Sequence, residues 1–539
     1  MTGHGEKPLV TEVVVDGRTL SYGDVVAVAH HGAQVALADG VLSRLAGERA
    51  VVDDVVDRQV PTYGLTTGLG ARSSYALPRA ELDAFSVRTV RGRANAVGDP
   101  LPVPVVRAAL VARVNGLAGG GSGVRPEIVR LLVELLNARV HPVIPEVGSI
   151  GASDLCQLAH VGLVVIGEGS AEYDGERLDG ATALRRAGLA PARLGPKDGH
   201  VLCSASPLAA GLGALALHET AALLTLAQAV TALTYEGFRA NTSPLDARVL
   251  ALRPAPGQSR AATELLSLLT GGELTDPRNA RRVQDPVSLR CAAQVHGTGY
   301  AALAFTDAAL LPELNGCGDN PVVLPGGVVG GGMQGVSSAG DIREEPPGPG
   351  EILSSGNFHT PALALAYDTL ALALTQTAAV SAERMRRLLE PAVSGLPANL
   401  SPYGPERSGF APLVKTAQAL VAEVRMLSVP VCTDPRQGAD AVEDDSTNAA
   451  LGARRLTTML GRLRQLLAVE AVVAAQAVDL AAPAALGRGP EFLYRAIRKV
   501  VPTLTEDRPQ GVDVETVSRD ILGSDDVRST LNSWAKEAT

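Results

Sequence analysis

The chain has 539 residues, 46% of them hydrophobic, 19% charged and only 3% aromatic, with 48 Lys and Arg against 57 Asp and Glu for a formal charge of −9. That apolar content excludes a disordered chain and suffices for about three domains or one large helical body. The acidic balance, with no Lys/Arg cluster, argues against a nucleic-acid or anionic-membrane partner, and a surface this poor in charge implies cover by other subunits. Five scattered cysteines (Cys156, Cys203, Cys291, Cys317, Cys432) never form a CxxC pair. A disulfide framework or metal site is therefore not expected, and a reducing compartment fits. Met1–Val10 has no basic stretch followed by an apolar one, so no secretory signal is read there. The apolar runs Ala362–Val380 and Leu467–Leu486 carry Asp368, and Glu470 with Asp479. Acids at such places suit the middle of a helical bundle better than lipid. The expected location is the cytoplasm.

In chain order, alternation over Val10–Leu20 (Val13, Val15, Leu20) predicts a short strand pair. Tyr63–Gly70 is a Gly/Thr-rich loop. Pro104–Leu117 and Pro126–Leu136 repeat apolar residues at three and four, the second opened by a first-turn proline, with the break Ala118–Gly123 between them. Pro142 and Pro145 lead into the small-residue run Gly148–Ser153 and then an apolar helix bearing Leu155, Leu158, His160 and Val164. Glu168–Gly199 reads as an exposed hairpin or loop. Long Ala/Leu-rich helices follow at Pro207–Tyr235 and Pro361–Leu389. Between these two, residues 325–356 are dense in Gly and Pro and include Glu344 and Glu345, as a lid or a disordered insertion would. The fold class is mainly α, with an elongated central helical bundle and a smaller N-terminal mixed region. Its divisions are 1–205, 206–485 and a helical tail at 486–539.

Several blocks together resemble the aromatic amino acid ammonia-lyases and 2,3-aminomutases, the superfamily that includes histidine ammonia-lyase. They are Tyr63–Gly70, Ser122–Pro126, Ile144–Ser153, Gln284–Cys291, Glu313–Asn315, Asp319–Pro321, Gly356–His359, Ser394–Pro397, Ala474–Asp479 and Val501–Leu504. Their order and number, across roughly residues 55 to 505, are far more specific than any lone motif. The resemblance implies a homotetramer with active sites shared between chains. It also implies an electrophile, 4-methylideneimidazol-5-one, made when an Ala-Ser-Gly triplet cyclises and loses two waters.

Here the loop reads Ala152-Ser153-Asp154 when anchored from the left and Gly151-Ala152-Ser153 when anchored from the right, as if one residue were deleted, and neither register gives the standard triplet. Closing the ring calls for a sharp backbone turn, which a third residue without a Cβ makes easily. On that ground the expectation is that no cofactor forms, unless Ala152-Ser153-Asp154 itself cyclises. Other positions also depart from the family pattern. Its Asn-Gly pair falls at Leu202–Ser206, where Ser204 stands, and a family tyrosine is replaced by Val287. Its Asn-Gln-Glu-Asp becomes Ala441-Val442-Glu443-Asp444, and the histidine of the substrate loop aligns with Arg93.

By the resemblance, Tyr63 is the catalytic base, with Glu443 beside the substrate amine. A phenol serves as base only where positive charge or hydrogen bonds assist it; a tyrosine that merely packs a turn is the alternative. Arg290, Asn320, Phe358 and Arg93 are the substrate-binding candidates. A guanidinium can fork onto a carboxylate, although Arg290 could equally form an internal salt bridge and Asn320 could simply cap a turn. Ala152, Ser153, Asp154 and Ser204 make the cofactor-type loop, with Asp154 readable as a helix cap. The expected partner is a small amino-acid-like substrate. Three readings follow: an enzyme using Tyr63 for proton abstraction and elimination without the electrophile, a conventional ammonia-lyase or aminomutase with a cofactor from Ala-Ser-Asp, and a non-catalytic scaffold or regulatory paralogue.

Overall fold

The computed structural model describes residues 10–326, 350–433 and 443–537. The Gly/Pro-rich stretch 327–349, with Glu344 and Glu345, lies outside them, as do Ala441 and Val442. Helices dominate, as the three-and-four periodicity implies. The four longest are Pro207–Phe238, Ala292–Asn315, Pro361–Leu388 and Ala449–Ala481. At 1.5 Å per residue they run about 36–50 Å. The stretch 198–238 and the helix Pro361–Leu388 are long and apolar enough to cross a membrane by length and composition. Their apolar windows are 94% and 61% buried by the fold itself, which makes the first a core helix and leaves part of the second uncovered.

The chain divides into two compact units. The first comprises Met1–Leu215, Ala308–Leu365 and Val431–Arg454, and the second Ala216–Asp307, Ala366–Pro430 and Arg455–Thr539. In the first unit, strand Glu12–Val15 pairs in parallel with Gln34–Leu37 across the helix Tyr22–His30. The strand pair expected within Val10–Leu20 is thus corrected: Leu20 lies outside the strand, because Ser21 caps the next helix through a box with Asp24. The helix Val103–Gly119 is buried nearly all round. It is tolerated there because its polar residues find partners. Arg107 donates to the carbonyls of Val28 and Leu136, each at 2.8 Å, and Arg113 forks onto Asp319 at 2.9 and 3.0 Å. The helix Pro126–Asn137 starts on its proline, as expected.

Glu168–Gly199 is only partly the exposed hairpin expected. Ser170–Tyr173 and Glu176–Asp179 form the hairpin, but a short helix, Asp198–Cys203, is fully buried. The reason is Asp198, whose carboxylate gathers Arg125 Nε at 2.7 Å and the Gly195 amide at 2.8 Å. Strand Val322–Leu324 pairs with Glu351–Leu353, at the ends of the Gly/Pro-rich stretch. The helix Val41–Asp57 presents Val52, Val55 and Val56 to Leu65, which anchors the tyrosine loop in a small apolar cluster.

Asp154 departs from the expected cap. It makes no cap bond to its own helix, Leu155–Val165. Instead one carboxylate oxygen accepts from the amides of Leu208 and Ala209 (2.9 and 3.1 Å) at the start of Pro207–Phe238, and the other from Ser149 Oγ at 2.7 Å. Burial raises its pKa to about 6, against those hydrogen bonds, which lower it.

In the second unit the main buried charge pair is Arg384–Glu470, both side chains at 0% exposure. Arg384 donates two bonds, at 2.6 and 2.9 Å, and Thr234 and Ser381 complete the carboxylate's shell. Arg384→Met leaves that carboxylate buried and unpaired. It is expected to cost about 3–5 kcal/mol in denaturant unfolding, and a loss under 1 kcal/mol would contradict the pairing.

Asp154 makes a second, pH-dependent expectation. Its folded pKa lies above the ordinary 3.8, so its contribution to stability is fully present below that value and lost as pH rises through about 6. The swing is about 3 kcal/mol. Asp154→Asn keeps an acceptor for Leu208 and Ala209 but cannot ionise. Relative to this variant, the parent protein should melt higher at about pH 4.5 than at about pH 7.5; an identical difference at both pH values would contradict the assignment.

Candidate active site

In the first unit, segments far apart in the chain enclose a cleft of about 650 Å³. Tyr63, Arg93, Ala152, Ser153, Ser204, Asn320, Phe358 and Glu443 all line it, so eight of the ten expected residues come together. Asp154 lies buried beneath, holding the loop. Arg290, at the end of the short helix Val287–Arg290, belongs to the second unit and does not line the cleft. Nor does it make the internal salt bridge weighed from the sequence: among the described residues it has no ion pair, and its buried Nε lacks a hydrogen-bond partner.

The floor of the cleft is the triplet loop. Gly151 and Ser153 turn it sharply, at φ +87° and +63°. Thr447 Oγ1 donates to the Gly151 carbonyl at 3.2 Å, and a Cβ on Gly151 would fall 2.0 Å from that oxygen, so only glycine allows the approach. Ala152 pairs with His359 in an isolated bridge, while the Ser153 amide donates to the Phe358 carbonyl at 3.3 Å. Ser204 turns back onto the His200 carbonyl at 2.9 Å, and Asn320 accepts the Ser355 amide at 2.8 Å. Asn320 is therefore holding a turn as well as lining the cleft.

Tyr63 sits on the loop anchored by Leu65. Its hydroxyl oxygen accepts from the Gly70 amide at 3.1 Å, a donor that stabilises charge developing on that oxygen. Arg72 and Arg93 both line the cleft and form no ion pair among the described residues, which leaves two guanidinium groups for an anionic substrate group. Glu443 lines the same cleft.

Sequence reasoning missed Arg72, Ser354, Ser355 and His200. His200 gave no signal because it has no partner at motif spacing, and its neighbour Tyr63 is remote in the chain. Their rings meet edge to face, centroids 5.9 Å apart at 70°. Burial, helped by Lys197 and Arg93, pushes the His200 pKa down to about 3, so the ring is neutral at ordinary pH. The thiols are poor nucleophiles: burial raises Cys156 and lifts Cys203 to about 12.

The aromatic amino acid lyase family matches residues 20–499. A histidine ammonia-lyase from Treponema denticola is 37% identical over 98% of this chain and all of that protein. Among solved structures, histidine ammonia-lyase from Trypanosoma cruzi superposes with a TM-score of 0.86 at 31% identity, covering 98% of this chain and 96% of that one. The ergothioneine-degrading enzyme ergothionase from Treponema denticola, solved with desmethyl-ergothioneine sulfonic acid, gives 0.85 at 30% identity, covering 98% and 99%.

These relatives overturn the expectation that no cofactor operates. Histidine ammonia-lyases typify the family that uses methylideneimidazolone, and this chain matches one end to end. The steric ground for that expectation is also weaker than it looked. The sharp bends fall at Gly151 and Ser153, while Asp154 has an ordinary φ of −91°. As folded, the Asp154 amide donates to the Ala205 carbonyl at 2.8 Å. The scaffold reading falls too, given full-length enzyme relatives at this identity. With the family match spanning residues 20–499, the chain belongs to the aromatic amino acid lyase family and is a lyase.

Proposed function

We propose that this lyase eliminates the amine from an imidazole-bearing amino acid or its betaine, with Tyr63 as the base. The observation that carries the reading is the meeting of Tyr63, Glu443, Arg72 and Arg93 in one cleft, the two arginines having no ion pair among the described residues. The phenolate oxygen takes the β-proton, the C–H pair becomes the Cα=Cβ bond, and the C–N bond breaks with its electrons leaving on the amine. The Glu443 carboxylate favours a cationic amine at that end, whereas arginine favours the carboxylate end. The imidazole-type side chain is suggested by the names of the relatives, histidine ammonia-lyase and ergothionase; the latter's namesake substrate is a trimethylammonium betaine, whose amine is already a good leaving group.

The active unit in this reading is a cytoplasmic homotetramer in which Arg290 of one chain serves the cleft of another. Its support is Arg290, which has no ion pair among the described residues, together with the exposed Val283 and Val287 (93% and 58%) and the exposed Leu365 and Leu372 on Pro361–Leu388. A monomer would leave these apolar residues in water.

Two experiments test the proposal. The purified protein is offered histidine, ergothioneine, phenylalanine and tyrosine, and formation of the conjugated acrylate is followed by ultraviolet absorbance. Turnover of an imidazole substrate is expected, with Tyr63→Phe slower by about 10²–10⁴-fold; turnover of phenylalanine or tyrosine alone would contradict the substrate, and an undiminished Tyr63→Phe the base. For shared sites, Tyr63→Phe and Arg290→Met chains, each inactive alone, should regain activity when unfolded and reassembled together. No recovery in verified mixed oligomers would place both groups in the same site of one chain.

A further inference from the structure

A base on a Gly/Thr-rich loop needs something rigid to stop against, and the wall behind Tyr63 is unusually well fixed. The short helix Asp198–Cys203 is held on two sides. Asp198 binds Arg125 and the Gly195 amide, and Ser86 Oγ donates to the Gly195 carbonyl at 2.6 Å. Gly199 lies so close to the Ser86 backbone that a Cβ there would fall 2.0 Å from the Ser86 carbonyl oxygen. The next residue is His200, only 9% exposed, and its ring meets the tyrosine loop at two places. It faces the Tyr63 ring edge to face, and its Nδ1 abuts Gly64, where an added Cβ would lie 2.4 Å away. Gly64 has φ +65°, so the turn beside the base needs glycine both for its backbone and for this contact. That Nδ1 has no hydrogen-bond partner, so the ring is not there to satisfy a polar network.

We infer that His200 is a positioning residue for Tyr63: its ring is the fixed stop on which the Tyr63–Gly64 turn rests, while the Gly70 amide holds the phenol oxygen. This rests on the assignment of Tyr63 as the base. Removing the stop lets the phenol drift, and a displacement of about 1 Å at a reacting group can cost about 10²-fold in rate.

The test is a double-mutant cycle on the full-length protein with its turned-over substrate. His200→Ala is expected to lower kcat about tenfold or more with KM changed less than about threefold, and to cost nothing further in the Tyr63→Phe background, since the base it serves is already gone. His200→Leu, which restores most of the volume, should show the same pattern with a smaller loss and serves where the alanine variant does not fold. Hydrogen exchange over residues 62–70 should quicken in both. An equal loss in the parent and Tyr63→Phe backgrounds would mean a general structural role and overturn the inference, as would unchanged kcat in His200→Ala. An undiminished Tyr63→Phe protein would sink the base assignment instead, separately from anything His200 does.

Discussion

The site hangs on one buried carboxylate. Asp154 accepts from Ser149 Oγ on one side and from the first amides of Pro207–Phe238 on the other, while its own amide reaches the Ala205 carbonyl. Those bonds tie the triplet loop, the turn after Asp198–Cys203 and the start of a 32-residue helix into one piece. A helix begins with amides that lack intrahelical partners, and an acid at that end satisfies them and suits the dipole. The cost is a charge taken out of water, seen in the raised pKa. Ala152 and Ser153 owe their place on the cleft floor to this junction.

Around that floor, several segments are tied in place. Thr447 supports the loop from below, and Arg113–Asp319 ties the largely buried helix Val103–Gly119 to the segment that carries Asn320. The tyrosine loop is held by Leu65, by the Gly70 amide on the phenol oxygen, and by the Leu65, Thr66 and Thr67 amides on the Thr62 carbonyl. His200 stands beside that loop as a neutral ring. A charged imidazole there would add to Lys197 and Arg93, and burial among those cations keeps it unprotonated.

Positive charge at the cleft comes from two arginines of the same unit, whereas Arg290 lies in the second unit. Its buried Nε has no hydrogen-bond partner, as is also true of Arg44, Arg113, Arg464 and Arg498. On Pro361–Leu388, Leu365 and Leu372 are also exposed.

Much of this was legible in the sequence. Helix positions followed from apolar spacing and proline starts, as at Pro126, and the blocks from Tyr63 to Leu504 specified the family. Eight of the ten candidate residues gather in one cleft because those blocks carry the residues the family's fold brings together. What the sequence left open was set by contacts between distant segments. Strand Glu12–Val15 found its partner across a helix, since local alternation does not say which strand lies alongside. Asp198 is buried although its surroundings look like a loop, because Arg125 and the Gly195 amide offset its charge. Asp154 looked like the cap of the helix that follows it and instead caps another. The inference from its Cβ failed similarly, since the sharp turn falls at Gly151 and Ser153. Periodicity and motif order are local properties and can be read along the chain. Which side chain a buried charge or ring meets depends on packing in three dimensions, and so His200, unremarked in the sequence, stands against Tyr63.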